Sequence, residues 1–512
     1  MKLRLTKAGR MVIFVLMAVV LGVAGFFGYK HINKGSVDLI DKFGSDTLPN
    51  SSTKVDVSDT TINLSLDEWI GWKPIIDANQ GLTTQPGSIF DELGIKVNIN
   101  IINDAEASSN ALIKGDLNAA GYTINRTAFL SGKFKEAGLD VVMPVLTNYS
   151  DGGDGIIALS KFDTIESLVD AKIGVPKFSE AQSLVIWFVN KSDLPDSAKQ
   201  EIINNLILMD DAEQTGQAFF AGKLDVSATW QPFLSNAENS TNSHILFSTE
   251  SSNKLIMDGI VFRNDFAEAH PDVVSKFIEG IFKAEDMYET EFDYIRAVMP
   301  MFAGSSDEDI LSMCGDAGLM GYAANVNALE NECVTVYADM CKIWESIGET
   351  TDKALGATLF DTTYVKALSD KYSSLQQTPT FEITEEQKES VKDVAALLTK
   401  SATLNFMADT AKFVDNAEAD EILKEFVEIA KTLDGTIIQI EGNINSEVNT
   451  EAGQKLSEER AKTVKNYFVA NGIDANRIIV IGNGNTKMVA GTSGPEAVQN
   501  RRTDVFFKTI EN

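Results

Sequence analysis

From Thr61 onward the chain alternates short strand patterns with helical ones, and that rhythm limits the folds open to it more than any other feature. Thr61–Ser65 reads as a short strand and Ile95–Ile101 alternates apolar and polar residues with period two. Strand signals return at Val141–Val145, Gly155–Leu159 and Lys172–Val175, with helical stretches between them. A helix that follows a strand packs back onto the sheet, so the alternation predicts an α/β fold with helices on both faces. The 512 residues exceed what one hydrophobic core serves, so two or more domains are expected.

A net charge of −30 repels phosphate backbones, which argues against nucleic acid as a partner and against broad adhesion to anionic lipid. The three histidines, His31, His244 and His270, are scattered, and no H-E-x-x-H, G-x-S-x-G or phosphate-loop run occurs. No enzyme activity, metal or cofactor is therefore expected. Three cysteines, Cys314, Cys333 and Cys341, allow one disulfide at most. Cys333 and Cys341 share a helical-looking stretch and lie about 12 Å apart along its axis, too far to bridge. Cys314 reaches one of them only if the chain folds back; the alternative is three buried thiols.

Lys2, Arg4, Lys7 and Arg10 precede an uncharged apolar run from Met11 to Gly28. At 1.5 Å per residue that run measures roughly 27 Å, enough to cross a bilayer core. The positive flank keeps residues 1–10 in the cytoplasm. The expectation is a single-pass anchor over 11–29 in the cytoplasmic membrane, with the bulk of the chain in the periplasm or cell envelope. Gly22-Val23-Ala24 leaves a cleaved signal peptide open as the alternative. Residues 30–60, rich in Ser, Asp, Thr and Lys, read as a flexible linker.

Four runs in chain order carry a further signal. Trp69-Ile70-Gly71-Trp72-Lys73-Pro74 is a W-x-G-aromatic-x-P turn after a strand. Ala111–Gly121 and Ala221–Pro232 are helix-to-strand steps, the second ending in Trp230-Gln231-Pro232, and Gly259–Phe266 is a strand with its turn. Together they resemble the substrate-binding proteins of nitrate, sulfonate and taurine ABC importers, a branch of the type II periplasmic binding fold. Asn118 stands where that family has Asp. The resemblance implies a two-lobed solute-binding domain over 61–380, with lobe one from 61–150 and 260–380 and lobe two from 155–255. Crossings are expected near Asp151–Gly155 and Met257–Gly259, with a small-molecule solute in the cleft between the lobes. An ABC permease becomes a possible partner.

Candidate ligand-binding residues are Ser65, Trp69 and Trp72 after the first strand, Tyr122 and Thr123 after Gly121, and Asp151 and Asp154 around a Gly-Gly turn. Ser179 and Ser183 open a helix whose N–H groups suit an anion, and Thr229 and Trp230 follow the second-lobe step. Each has a plainer role open to it: tryptophan packs in cores, serine caps helices and Gly-Gly makes turns. Family likeness favours an oxyanion or small organic acid. The residues near the mouth, Asp67, Glu68, Asp151, Asp154 and Glu180 against Lys73 and Lys177, favour a cationic or nitrogenous ligand held by carboxylates and aromatic faces.

Towards the C-terminus, Gly442-Asn443-Ile444-Asn445, then Leu456-Ser457-Glu458-Glu459-Arg460-Ala461, then Asn500-Arg501-Arg502 occur in order, with fifteen residues from Asn445 to Arg460. Order and spacing resemble the OmpA-like peptidoglycan-binding domain, with its G-H-T-D, L-S-x-x-R-A and N-R-R runs. A helix over 381–402 would connect it to the lobes, the domain itself taking 403–512 as a second α/β unit, with Leu404-Asn405-Phe406 as its first strand. The resemblance assigns Asn445 and Arg460 to the grip on the cell-wall peptide, Arg460 holding a carboxylate by its planar fork. An amide replaces the usual carboxylate at Asn445, which weakens or retargets that grip; a domain kept for packing or partner contact is the alternative. Arg501 and Arg502 brace the fold.

The function expected from this is a membrane-anchored receptor of ABC-importer type that captures a small solute and attaches to the wall. The alternative is a MotB-like or sensor scaffold that links membrane and peptidoglycan without transport. An ion-driven motor stator needs an ionisable residue in its span, and Met11–Gly28 has none.

Overall fold

The computed structural model describes residues 52–53, 58–252, 254–372, 384–407, 409–448 and 450–509. The expected span at 11–29 and the tail before it lie outside the described residues, and among those described no helix is long and apolar enough to cross a membrane. The expected flexible linker needs one correction. Its residues Ser52 and Thr53 are seated on the first lobe, their N–H groups donating to Ala137 and Ile113 carbonyls at 2.7 and 3.0 Å. Arg263 completes the seat through a bond to the Thr53 carbonyl at 2.7 Å.

The chain builds β1 (Ile62–Leu66), a short turn carrying Trp69 and Trp72, then α1 (Lys73–Asn79), β2 (Val97–Ile101), α2 (Ala105–Lys114), β3 (Ala119–Thr123), α3 (Ile124–Ala137) and β4 (Val141–Ser150). It crosses at Asp151–Gly153 into a second sheet made of β5 (Asp154–Leu159), β6 (Ile173–Pro176), β7 (Ile207–Met209), β8 (Val226–Trp230) and β9 (Ser243–Ser248), with α4 (Glu180–Lys191) after β6. It returns through Thr249–Ile256 to β10 (Met257–Arg263) and β11 (Ala317–Leu319). The strand orders are β11-β4-β10-β3-β1-β2 and β7-β6-β8-β5-β9. Two lobes therefore share two crossings. The second crossing comes earlier than expected: Met257–Gly259 already pair with Tyr149, Asn148 and Leu146 inside the first sheet.

Local chemistry explains these elements. Asp104 caps α2 by accepting from the N–H groups of Glu106 and Ala107, and Gly115 ends it in the left-handed region. Asn118, in place of the family Asp, uses both ends of its amide: it accepts from the Asn63 N–H at 2.9 Å and donates to the Thr61 carbonyl at 2.8 Å. A carboxylate lacks that donor. The long helix α5 (Cys333–Ser346) spans the seam between the lobes, its Trp344 donating to the Asn125 carbonyl and its Asp339 lying 4.0 Å from Lys191. Cys314, Cys333 and Cys341 are buried free thiols.

The C-terminal unit comprises β12 (Leu398–Ala402), α6 (Asn416–Thr432), β13 (Ile437–Gly442), α7 (Glu451–Ala470), β14 (Ile478–Gly482) and β15 (Thr503–Lys508), in the strand order β12-β15-β13-β14. The connector helix expected over 381–402 is corrected here. Among its described residues only Glu385–Ser390 is α-helical, and Leu398–Ala402 pairs antiparallel with β15 from Leu398 against Phe507 to Ala402 against Thr503. Pairing with a distant strand outweighs local helical preference in this stretch. Leu404–Phe406, expected as a strand, contributes a single bridge from Phe406 to Phe413.

Lys73 is also corrected. Rather than facing the cleft mouth, it is fully buried under α1, 2.6 Å from Asp77 and 3.1 Å from the Met287 carbonyl. Removing one partner of a buried pair strands the other. Lys73→Met is expected to lower stability by about 3 kcal/mol in chemical denaturation, with partial recovery in the double variant Lys73→Met, Asp77→Leu.

Candidate ligand-binding site

The candidate cleft forms where β1 and β3 end, beside the two crossings. Thr123 caps α3 by accepting from the Arg126 N–H, which fixes the first turn of that helix. Its hydroxyl then donates across the seam to Glu180 Oε1 at 2.7 Å. Arg126, on the same turn, grips Glu180 with two bonds, Nε to Oε1 at 3.0 Å and Nη2 to Oε2 at 2.8 Å. Asn125 donates to Ser183 Oγ at 2.9 Å. Lobe one is thus latched to lobe two by a bidentate ion pair, the stronger geometry for guanidinium and carboxylate.

Other carboxyls crowd this pair. Asp67 follows β1 and accepts from the Trp72 indole at 2.6 Å. Burial raises its pKa, opposed by the Trp72 bond. Asp258, at the start of β10, is raised well above the ordinary range by burial, then by the charges of Asp67, Glu180 and Asp154. Asp154 accepts from Ser150 Oγ at 2.8 Å. Burial, with Glu180 and Asp67, pushes it up to about 7. Glu180 goes the other way: burial works against its charge, but Arg126 outweighs burial and holds it low. Burial likewise works against the Arg126 charge and Glu180 more than offsets it.

Several predicted residues meet here. Trp69 donates to Asn148 at 3.0 Å and lies over Gly153, where a Cβ would come within 2.6 Å of the indole ring. Ser65 and Tyr122 join through Ser108, each oxygen pair 2.7 Å apart. Others hold the fold. Thr229 is buried and bonded to the Ala212 carbonyl, and Ser179 caps α4 while donating to the Pro176 carbonyl. Trp230 is 44% exposed. Asp151 sits in the crossing, its N–H bonded to the Asp316 carbonyl. Lys177 is a surface residue 3.3 Å from Asp210, away from the cleft. Sequence reasoning overlooked Arg126, Asn148 and Asp258. Arg126 lies one helical turn beyond Thr123, and Asp258 lies within the segment proposed as a crossing, so position alone gave a signal for both.

Side chains of the two lobes meet directly across the seam. A cavity of about 40 Å³ remains beside the crossings, lined in part by Glu68, Trp69, Gln231, Phe302 and Asp316. It admits a few water-sized groups.

In the C-terminal unit Asn445 is held at both ends: Nδ2 donates to the Thr492 carbonyl at 3.0 Å, and Oδ1 accepts from Asn500 Nδ2 at 3.1 Å. Arg460 stacks on the Phe406 ring at 4.9 Å and donates to the Thr410 carbonyl at 3.1 Å. Burial, then the Arg501 charge, lowers its pKa. Next to it a groove of about 440 Å³ is lined by Met407, Lys412, Phe413 and Thr463. Asn443 donates to Asp504 at 2.9 Å, and Arg502 pairs with Asp504 at 3.0 Å, so these two brace the sheet. Residues 405–502 match the OmpA family. The C-terminal unit is an OmpA domain.

Outer membrane protein A of Bordetella avium is 34% identical over 125 residues, 24% of this chain and 63% of that protein. The chain spans less than two thirds of the length of the curated relatives it matches, 13% for another of them. Over the region before the OmpA domain the structure is similar to the periplasmic aliphatic sulphonate binding protein SsuA from Escherichia coli, with TM-score 0.46, 14% identity, and coverage of 60% of this chain and 99% of that one. It is similar also to the periplasmic nitrate-binding protein NrtA from Synechocystis PCC 6803, with TM-score 0.47, 10% identity, and coverage of 64% and 93%.

Asp154 makes the fold pH-sensitive. Its folded pKa of about 7 lies above the 3.8 of a free carboxyl, so the folded chain binds the proton more tightly. The stability it contributes is full below pH 3.8 and is lost as pH rises towards 7. Melting temperatures from pH 4 to 7.5 should fall less steeply in Asp154→Asn than in the wild type. In the OmpA domain, Asn445→Asp removes the donor to Thr492 and sets a carboxylate against that carbonyl. A loss of about 1–3 kcal/mol is expected, read from the domain's thermal transition.

Proposed function

We propose that this chain is a cell-envelope solute receptor whose two lobes close on a small cationic or nitrogenous molecule, with the OmpA domain attaching it to peptidoglycan. The observation that carries this reading is the grouping of Asp67, Asp154, Glu180 and Asp258 around Arg126, walled by Trp69, Trp72 and Tyr122, at the seam between lobes joined by two crossings. Carboxylates and indole faces both favour a cation. Entry requires the latch to open, and the ligand then takes the place of Arg126 beside Glu180. Anchorage through residues 11–29 and an ABC permease partner belong to this proposal.

The shut cleft favours a second reading. Lobes that satisfy Glu180 with their own Arg126 suit a scaffold or sensor linking membrane and wall without transport.

One screen separates the readings. The whole chain is melted with amines, polyamines, amino acids, sulfonates and nitrate. A saturating cation at a hundred times its Kd stabilises by about 2.7 kcal/mol and moves the midpoint upwards. Arg126→Ala removes the internal competitor, so a cation binds that variant more tightly and an anion more weakly. A midpoint unmoved by every compound in both proteins rejects the receptor. Wall attachment is read by sedimentation with purified sacculi, where Arg460→Ala is expected to leave the chain in the supernatant.

A further inference from the structure

The OmpA domain sits against the second crossing. The loop after α6 approaches Ser251 and Ser252: Ser252 Oγ donates to the Thr432 carbonyl at 2.5 Å, and the Gly435 N–H donates to the Ser251 carbonyl at 3.0 Å. Gly435 is what lets the two backbones meet. A Cβ there would come within 2.8 Å of the Glu250 carbonyl oxygen and 2.9 Å of Ser251 Cα, main-chain atoms that cannot rotate aside. Arg477 ties the loop rigidly to its own domain by donating to the carbonyls of Ala430, Leu433 and Thr436 at 3.0, 2.6 and 2.9 Å. Lys254, just past the contact, lies 3.1 Å from Glu332 of lobe one and 4.0 Å from Asp434 of the OmpA domain.

A second contact reaches lobe two. Asp193, after α4, accepts from the Ser401 N–H at 2.6 Å and lies 3.1 Å from Lys400. One rigid domain thus touches lobe two, the crossing and, through Lys254, the lobe-one side. Opening two lobes turns the chain within its crossings, because those few residues absorb the change in backbone angles. Thr249–Ser252 cannot turn while Ser251 and Ser252 remain bonded to Gly435 and Thr432.

We propose that the OmpA domain is an intramolecular brace on the hinge: docked, it holds the jaws shut, and undocking permits them to open. A ligand at the OmpA domain that prefers the undocked form is then linked to binding in the cleft, each changing the other's affinity by the same factor. This rests on the reading of the lobes as hinged jaws, whatever solute they hold.

The test uses the full chain with spin labels in two pairs, Glu92 of lobe one with Lys223 of lobe two, and Lys223 with Glu421 of the OmpA domain, measured by pulsed electron resonance. All three positions are exposed, and the native cysteines are buried. In the wild type both pairs should show one short distance. Gly435→Ala should lengthen the distance from lobe two to the OmpA domain and raise the open-jaw population about tenfold. Asp193→Ala, a surface change that leaves the loop intact, should shift both distances the same way and decides the matter if Gly435→Ala misfolds. An OmpA domain that leaves while the lobe-to-lobe distance stays unchanged overturns the brace, as does one that stays in place in both variants. The double variant Arg126→Ala, Gly435→Ala, which releases latch and brace together, is the control for the jaws. If lobe distance is fixed even there, the hinged reading fails and the brace with it; lobes that open in Arg126→Ala while the OmpA domain stays docked overturn the brace alone.

Discussion

The ion pair between Arg126 and Glu180 sets the terms for the rest of the molecule. It joins the first turn of α3 to the first turn of α4, and so joins lobe to lobe. It also makes a crowded set of carboxyls tolerable. Burial raises the pKa of Asp67, Asp154 and Asp258, whereas at Glu180 the guanidinium outweighs burial and holds it low. A half-buried pair of this kind is weak evidence for net stability, since both charges give up water to form it. Its consequence is specificity: only one relative position of the lobes lets the fork meet Glu180.

Aromatic packing reinforces that position. Trp72 spends its indole N–H on Asp67, and Trp69 spends its own on Asn148 while covering Gly153 in the first crossing. The walls of the cleft are thereby tied to the hinge. Trp72 is fully buried, whereas Trp69 is half-buried and lines the small cavity beside the crossings.

Some of this was legible in the residues. The two helix-to-strand steps and the W-x-G-x-x-P turn lie at strand ends, and the three C-terminal runs mark a domain that matches the OmpA family. What failed was the assignment of cations. Lys73 follows Trp72 by one residue, yet the helical turn carries its side chain beneath the lobe to Asp77. Arg126 drew no notice because an arginine in a helical stretch usually faces water. The strand Leu398–Ala402 was hidden for a related reason: its partner, β15, lies a hundred residues away, and local preference holds no information about it. Asn445 stands where the OmpA pattern has Asp, and its amide is used on both sides, donating to the Thr492 carbonyl and accepting from Asn500.

Alternation of strand and helix and the order of the motifs settled the fold class and the presence of an OmpA domain, because each is written in short-range pattern. The tertiary structure alone decided which carboxyls share a cleft, which basic group balances them and where the OmpA domain rests. Those outcomes depend on side chains brought together across seams from segments as far apart as Asp67, Glu180 and Asp258, or Ser251 and Gly435. Electrostatic energy falls with distance in space, and spacing along the chain does not report it.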